Sequence, residues 1–273
     1  MRQYLASNMP DKNGKLTVTG KDFKYLSTVL RLEYGDSVWV RLPDEKLVKM
    51  EVEKIQSKQL IFSVCKNQND DENSVENGVT ANKIKNTNIE YWVFQFVPKS
   101  SKMDLVIRQS VECGISRIVP VQGEFSEKND NKNRYERYER LLKEARQQSG
   151  SPIDTKIEKT MNLADAINLW NETDKENHVQ KSEKIAFVLH EADIADESLY
   201  FYLKQNVDKL KKVALAIGPE GGMSDSEVEL LKQNGFNLIH FDTNVLRCET
   251  ACLYGIASIQ SAITGYKSWL KNE

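Results

Sequence analysis

The rhythm of apolar and polar positions changes twice along the chain and divides it into three stretches. Over residues 1–66, short apolar runs at 37–42, 47–55 and 59–64 are separated by Pro43-Asp44-Glu45 and Gln56-Ser57-Lys58. Such runs between turn residues predict three strands. Ahead of them, Phe23, Leu26, Val29 and Leu30 recur at helical spacing and stop before Gly35-Asp36, so a helix is expected over 22–31. Residues 67–88 then hold Asn, Asp, Glu, Lys and Ser with almost no large apolar side chain, the composition of a linker or long surface loop.

From residue 89 onward strand and helix patterns alternate. Residues 89–97 form a nearly continuous aromatic and β-branched run, the pattern of a strand buried on both faces. Pro98-Lys99-Ser100 breaks it, Ser101-x-x-Asp104 resembles a capping box, and the helix carrying Met103, Val106, Ile107, Ser110 and Val111 should close at Gly114. Further strands are expected at 115–121, 155–159, 185–189, 213–217 and 238–241. Helices are expected at 134–148, 163–170 and 198–210, after Ser224-Asp225-Ser226-Glu227, and from Ala251. This alternation predicts an α/β unit built on a parallel sheet. The expected domains are therefore 1–66, a small β unit, and 89–273, an α/β unit, joined by 67–88.

Totals narrow the function classes. The formal net charge is -2 over 273 residues, so no global field announces a polyanionic partner. Residues 1–66 nevertheless carry twelve Lys and Arg against eight Asp and Glu, which suits either a phosphate-gripping module or a solvated lysine-rich surface. No apolar run approaches bilayer length, the opening MRQYL does not read as a secretory signal, and a membrane partner is not expected. Cys65, Cys113, Cys248 and Cys252 form no CxxC pair, and free thiols in a cytoplasmic protein are the simplest reading. With His178, His190 and His240 as the full histidine complement, no metal site is expected.

Two strand ends carry candidate chemistry. After 213–217 comes Gly218-Pro219-Glu220-Gly221-Gly222, where glycines permit positive φ and close approach of a ligand. It is neither a GxGxxG fingerprint nor a Walker A loop, and a purely structural turn is an equal reading. After 238–241 comes the polar segment 242–250, in which Arg247 and Glu249 precede an apolar helix that Thr250 could cap. That helix is rich in small residues (Ala251, Cys252, Gly255, Ala257, Ser258, Ala262), which suits tight packing against another element or a second subunit. His190, at a third strand end, reads either as a general base or as a hydrogen-bonded filler.

In order and spacing, "VLRLEYGD", "PKSSKMD", "ECGISRIVP", "EARQQSG", "IGPEGGMSDSEVELL" and "VLRCETA" resemble the RsmE family of 16S rRNA (uracil-N3)-methyltransferases, in the SPOUT superfamily. The resemblance spans about two hundred residues. It implies an α/β fold, a C-terminal SPOUT domain with a deep trefoil knot, preceded by a PUA-like β-barrel domain for RNA binding. It further implies S-adenosylmethionine as methyl donor, 16S rRNA of the small ribosomal subunit as substrate, and a homodimer. Carried onto this chain, the cofactor loops would be Leu189-His190-Glu191, Gly218 to Gly222 with Glu220, and Asp242, Val245 and Leu246 with Thr250. Arg247 would be the cation beside the uracil oxygens, and Glu249 or Glu220 the base. Arg2, Arg31, Lys99 and Lys102 would hold RNA. The chain departs from the family pattern at Tyr25, Phe125, Ser151, Asp242 and Asn244; arginines usual near Phe125 and Ser151 are absent. Two other readings share the fold: a methyl-inactive RNA-binding or ribosome-assembly factor, and an enzyme acting at another RNA position.

Overall fold

The computed structural model describes residues 2–65, 89–128, 133–176, 179–191, 197–204 and 207–270. The expected linker 67–88 lies outside the described residues, as does His178. The chain divides into two compact units, one of residues 1–86 with 146–152 and the other of 87–145 with 153–273.

The first unit contains the three expected strands, β3 (Ser37–Arg41), β4 (Leu47–Gln56) and β5 (Gln59–Val64). Two shorter ones, β1 (Gln3–Leu5) and β2 (Lys15–Thr19), complete a sheet in the order β1-β3-β4-β5-β2. β2 alternates strictly, with Leu16 and Val18 inward, and β1 is three residues long. Val40, Met50, Val52, Leu60 and Phe62 are fully buried on the inner face of this small sheet. The expected helix at 22–31 is instead a short α1 (Gly20–Lys24) that widens into a π turn at Tyr25–Val29.

Residues 146–152 belong to this unit although the sequence pattern assigns them to the second. Their side chains and carbonyls explain why. The amide of buried Gln3 donates to the carbonyls of Arg146 and Ser151, each at 3.1 Å, and the Arg41 guanidinium donates to Gln3 Oε1 at 3.0 Å. Arg146, itself buried, donates to Glu45 at 2.5 Å. Buried polar groups must find partners, and here the first strand and residues 146–152 supply each other's.

The second unit is the expected parallel α/β sheet, with described order β12-β10-β11-β6-β7-β8 and β9 also pairing with β7. Its strands are β6 (Glu90–Phe96), β7 (Arg117–Gln122), β8 (Lys156–Ile157), β9 (Met161–Asn162), β10 (Lys184–Leu189), β11 (Lys212–Ile217) and β12 (Phe236–Ile239). The helices are α2 (Ser100–Glu112), α3 (Asn133–Ser149), α4 (Leu163–Glu176), α5 (Leu199–Lys204), α6 (Asp225–Gln233) and α7 (Cys248–Leu270). Alternation within the strands feeds two cores. Tyr91, Val93, Val213, Leu215 and Ile217 face one with α2, α3, α5 and α7, while Trp92, Phe94, Phe96, Ala214 and Ala216 face the other with α4 and α6.

Several boundaries moved for identifiable reasons. α2 starts at Ser100, so Ser101 is not its cap; Asp104 instead pairs with Arg137. α7 starts at Cys248, which places Thr250 inside the first turn rather than at the cap. β11 starts at Lys212, whose fully buried ammonium donates to Thr173 Oγ1 at 2.6 Å and lies over the Trp92 and Trp170 rings at 4.3 and 4.1 Å. Such desolvated cation–π contacts stabilise a charge that burial alone would penalise.

The turn after β7 is fixed by one carboxylate. Glu227 Oε2 accepts from Ser224 N at 2.9 Å, closing the capping box of α6, and Glu227 Oε1 accepts from Glu124 N at 2.8 Å. A Cβ at Gly123 would overlap the buried Phe96 ring and come within 2.6 Å of Glu227 Oε1. Gly123→Ala is therefore expected to destabilise the protein by about 1–3 kcal/mol through overpacking. Urea denaturation would register this as a lower midpoint at unchanged slope; a midpoint equal to that of the parent protein would refute the close packing.

Candidate active site

All three candidate loops leave the sheet at the carboxyl ends of adjacent parallel strands, β10, β11 and β12, where an open α/β sheet binds ligands. They enclose a cavity of about 320 Å³. Strand register explains the convergence: Leu189 lies opposite both Ile217 and Ile239, so the three strands end level with one another.

The loops are tied together through the backbone. His190 N donates to the Ile239 carbonyl at 3.1 Å, and His240 Nδ1 lies 3.2 Å from the His190 carbonyl, joining the first loop to the third. The glycine loop folds back on itself, with Gly222 N donating to the Pro219 carbonyl at 3.1 Å. A Cβ on Gly218 would lie 3.0 Å from the Gly222 carbonyl carbon, and Gly222 has φ +76, so both positions require glycine. Beneath this loop, the fully buried Gln95 donates to the carbonyls of Gly218, Ile217 and Phe96 at 3.2, 3.3 and 3.0 Å. Gln95 was not among the sequence candidates; its signal was a lone amide inside an aromatic run.

Leu189, His190, Glu191, Gly218, Glu220, Gly222, Val245, Leu246 and Arg247 all line the cavity. Asp242 and Thr250 do not line it and are exposed; Glu249 does not line it either, its carboxylate turned toward Cys248 and Lys102. Asn244, one of the departures from the family pattern, does. Phe125 stands half exposed beside the glycine loop, 3.0 Å from where a Cβ of Gly221 would sit. In the first unit, Arg2 and Arg31 are exposed, the latter with φ 54. Tyr25 accepts a hydrogen bond from Gln148 at 3.3 Å, and Ser151 is buried.

Lys99 and Lys102, paired as RNA contacts in the sequence, part company. Lys99 has an exposed side chain, and its amide donates to the Glu220 carboxylate at 3.3 Å. Lys102, in the first turn of α2, lines the cavity, with its ammonium 3.2 Å from Glu220 Oε1 and 3.8 Å from Glu249 Oε2. Desolvation works to lower its pKa, yet the hydrogen bond to Glu220 and the charges of Glu220 and Glu249 hold it above the ordinary lysine range. Burial tends to raise the Glu220 pKa, but its own backbone amide, Lys102 and the Lys99 amide leave it below the usual carboxylate range. Cys248 is pushed up to about 12, by burial first, then by its hydrogen bond to Glu249 and the charges of Glu220 and Glu249. At neutral pH it is a thiol, unsuited to nucleophilic attack. Among the described residues Arg247 is exposed and makes no ion pair.

Comparison with known proteins agrees with this geometry. A family profile described as an RNA methyltransferase domain matches residues 85–260, and one described as an RNA methyltransferase PUA domain matches residues 18–65. The chain is 28% identical over 250 residues to ribosomal RNA small subunit methyltransferase E 2 of Borreliella burgdorferi, covering 90% of each chain. It is 22% identical over 249 residues to ribosomal RNA small subunit methyltransferase E of Bacillus subtilis, covering 89% of this chain and 88% of that one. In fold it is similar to the crystal structure of a ribosomal RNA small subunit methyltransferase E from Neisseria gonorrhoeae bound to S-adenosyl methionine, with TM-score 0.72, 18% identity, and 96% of this chain and 97% of that one covered. With a strand-end cavity in the α/β unit and a family match over most of the chain, the protein belongs to the RNA methyltransferase family.

Proposed function

We propose that this protein transfers the methyl group of S-adenosylmethionine to N3 of a uridine in 16S rRNA of the small ribosomal subunit. The observation that carries the reading is the cavity itself: three loops that leave adjacent strand ends, with Lys102, Glu220 and Arg247 in its lining, in a chain of this family. The names of the Borreliella and Bacillus relatives and the ligand of the Neisseria structure support the substrate and the donor.

The residues present suit that donor. A volume of about 320 Å³ lies within the range of small-molecule sites. Leu189, Ile217 and Leu246 offer apolar surface to an adenine ring, the folded glycine loop offers backbone groups to its edges, and Glu191 and Glu220 offer negative charge to a cationic ligand. When bound, the donor supplies an activated methyl group. The chain's residues must then align the acceptor and remove its imide proton. Glu249 and Glu220 are the candidate carboxylates: Glu220 lines the cavity and is held by the Lys99 amide and Lys102, whereas Glu249 stands behind the lining, 3.8 Å from Lys102 and accepting from the Cys248 thiol. Arg247, exposed at the cavity, can stabilise charge developing on a uracil oxygen.

Delivery of RNA falls to the basic first unit with Arg2 and Arg31, and to Lys99 beside the cavity. A homodimer is supported within the second unit by the exposed Leu105, Val245 and Tyr254, large apolar side chains on α2, before α7 and on α7. The deep trefoil knot is supported by the strand order, in which β11 is inserted between β6 and β10. A cytoplasmic location follows from the substrate.

Calorimetric titration should show S-adenosylmethionine binding in the micromolar range, and Gly222→Val, which forces a β-branched residue to positive φ, should weaken it about tenfold or more. No binding by the parent protein would sink the donor assignment. Arg247→Ala should lower turnover by about 10²–10³ with cofactor affinity nearly unchanged; full turnover in that variant would remove Arg247 from the mechanism. Mass spectrometry of rRNA from a strain lacking the gene should show loss of N3-methyluridine, and an unchanged level would exclude this acceptor.

A further inference from the structure

We infer that Phe125 is a stacking platform for the RNA base next to the one being methylated. The inference rests on the methyl-transfer reading above and adds the place of a second nucleotide, at the mouth of the cavity.

Phe125 lies in the turn that follows β7, and β7, β6 and β11 run parallel, so this turn leaves the sheet at the same edge as the glycine loop. Its side chain rests on that loop. A Cβ on Gly221 would lie 3.0 Å from Phe125 Cβ and 3.5 Å from Cγ, and Gly221 lines the cavity. The ring therefore stands at the rim, and the residue is 50% exposed. The other exposed phenylalanine among the described residues, Phe201, leans on Tyr202 with ring centroids 5.9 Å apart. Among the described residues no aromatic ring covers Phe125.

This exposure is not that of a loose loop. Glu124 N donates to Glu227 Oε1 at 2.8 Å, and Glu127 N donates to the Val97 carbonyl at 2.9 Å. Ser126 is buried; its amide donates to the Gly123 carbonyl at 3.3 Å, and its hydroxyl accepts from Gly123 N at 3.0 Å. The residues on both sides of Phe125 are thus fixed, and a phenyl side chain has few torsions left to order. A large apolar ring held out of the core by a rigid turn is prepared for a ligand before that ligand arrives.

Charge and position decide what the ligand is. Glu124 and Glu127 are exposed on either side of Phe125, with Lys128 next along the chain, and the Glu227 carboxylate adjoins the turn. A phosphate placed on the ring would meet more negative than positive charge, whereas the flat face of a base carries none. A nucleotide whose base enters the cavity leaves its stack, so the neighbouring base loses a partner. Phe125 at the rim replaces that partner and offsets part of the cost of opening the RNA. Every base has a π face, so the contact tolerates any neighbour. Phe125 is also a position at which the chain departs from the family pattern, which makes this contact a property of this chain.

The test uses the full chain and small ribosomal subunits that lack the methyl mark, comparing the parent with Phe125→Ala, Phe125→Leu and Phe125→Tyr. Phe125→Ala should raise the subunit KM about tenfold, the loss of one base–aromatic stack, with kcat within about threefold of the parent value. Its affinity for S-adenosylmethionine, measured by calorimetry, should be unchanged. Phe125→Tyr should restore the parental KM, and Phe125→Leu, apolar but without a π face, should not. The slope of log KM against log salt should be the same in the parent and in Phe125→Ala, because no phosphate contact is lost. A parental KM in Phe125→Ala would overturn the proposal, and so would full rescue by Phe125→Leu, the mark of an apolar contact with a ribosomal protein. A changed oligomeric state of Phe125→Ala in sedimentation equilibrium would assign the ring to a contact between copies and overturn it as well. A weakened cofactor affinity at unchanged KM would reduce Phe125 to a support of the glycine loop. If the parent protein methylates no RNA at all, the methyl-transfer reading fails and this inference falls with it, an outcome distinct from an active parent whose KM is indifferent to the ring.

Discussion

A parallel strand buried on both faces can offer polar backbone to a ligand only where it ends. In the second unit β6, β10 and β11 are sealed between two apolar cores, so their peptide groups are consumed by neighbouring strands until the sheet stops. Because Leu189, Ile217 and Ile239 stop at the same level, the free groups of three loops fall on one small volume. Glycine then lets the middle loop fold on itself without filling that volume with side chains. The rest of the site, with cations and carboxylates from two helix starts, is arranged around a hollow that the sheet makes unavoidable.

How much of this could be read from sequence depended on range. Periodicity gave the strands of the second unit to within a few residues because both-face burial leaves a continuous apolar run, as in 89–97 and 213–217. The glycine loop was visible for a related reason, since glycines in a row are costly anywhere but a turn; Arg247 stood out by its place before an apolar helix and by the family resemblance. Lys102 was singled out as an RNA contact, but its place in the cavity wall was not legible, since nothing local distinguishes a lysine that reaches Glu220 and Glu249, more than a hundred residues on, from one that points at solvent. Gln95 was hidden likewise, and so was the buried Lys212, whose partners Trp92, Trp170 and Thr173 are scattered along the chain.

The first unit shows the same limit from the other side. Its strands β3, β4 and β5 were legible from runs and turns, but the attachment of residues 146–152 to it was not. Gln3, Arg41 and Arg146 each read as ordinary surface residues until their mutual hydrogen bonds are seen. Ser151, where the family pattern has an arginine, is part of that buried network, so the departure lies in a packed structural setting; Phe125 lies beside the glycine loop, where a departure can bear on what the cavity receives. The two absences are therefore not equivalent.

Gln95 has a consequence for the order in which the molecule is built. Its amide, on the first strand of the second unit, anchors the Gly218 carbonyl across 123 residues of chain. The glycine loop cannot take its final shape until the strand that carries it has been inserted beside β6, which requires β10 and the intervening helices to have emerged from the ribosome. Contacts of such long range are the slow ones in folding, since loop closure must precede their reward. The part of the protein that meets the ligand is thus among the last to acquire its form, and a nascent or truncated chain can hold much of the sheet while still having nothing with which to bind.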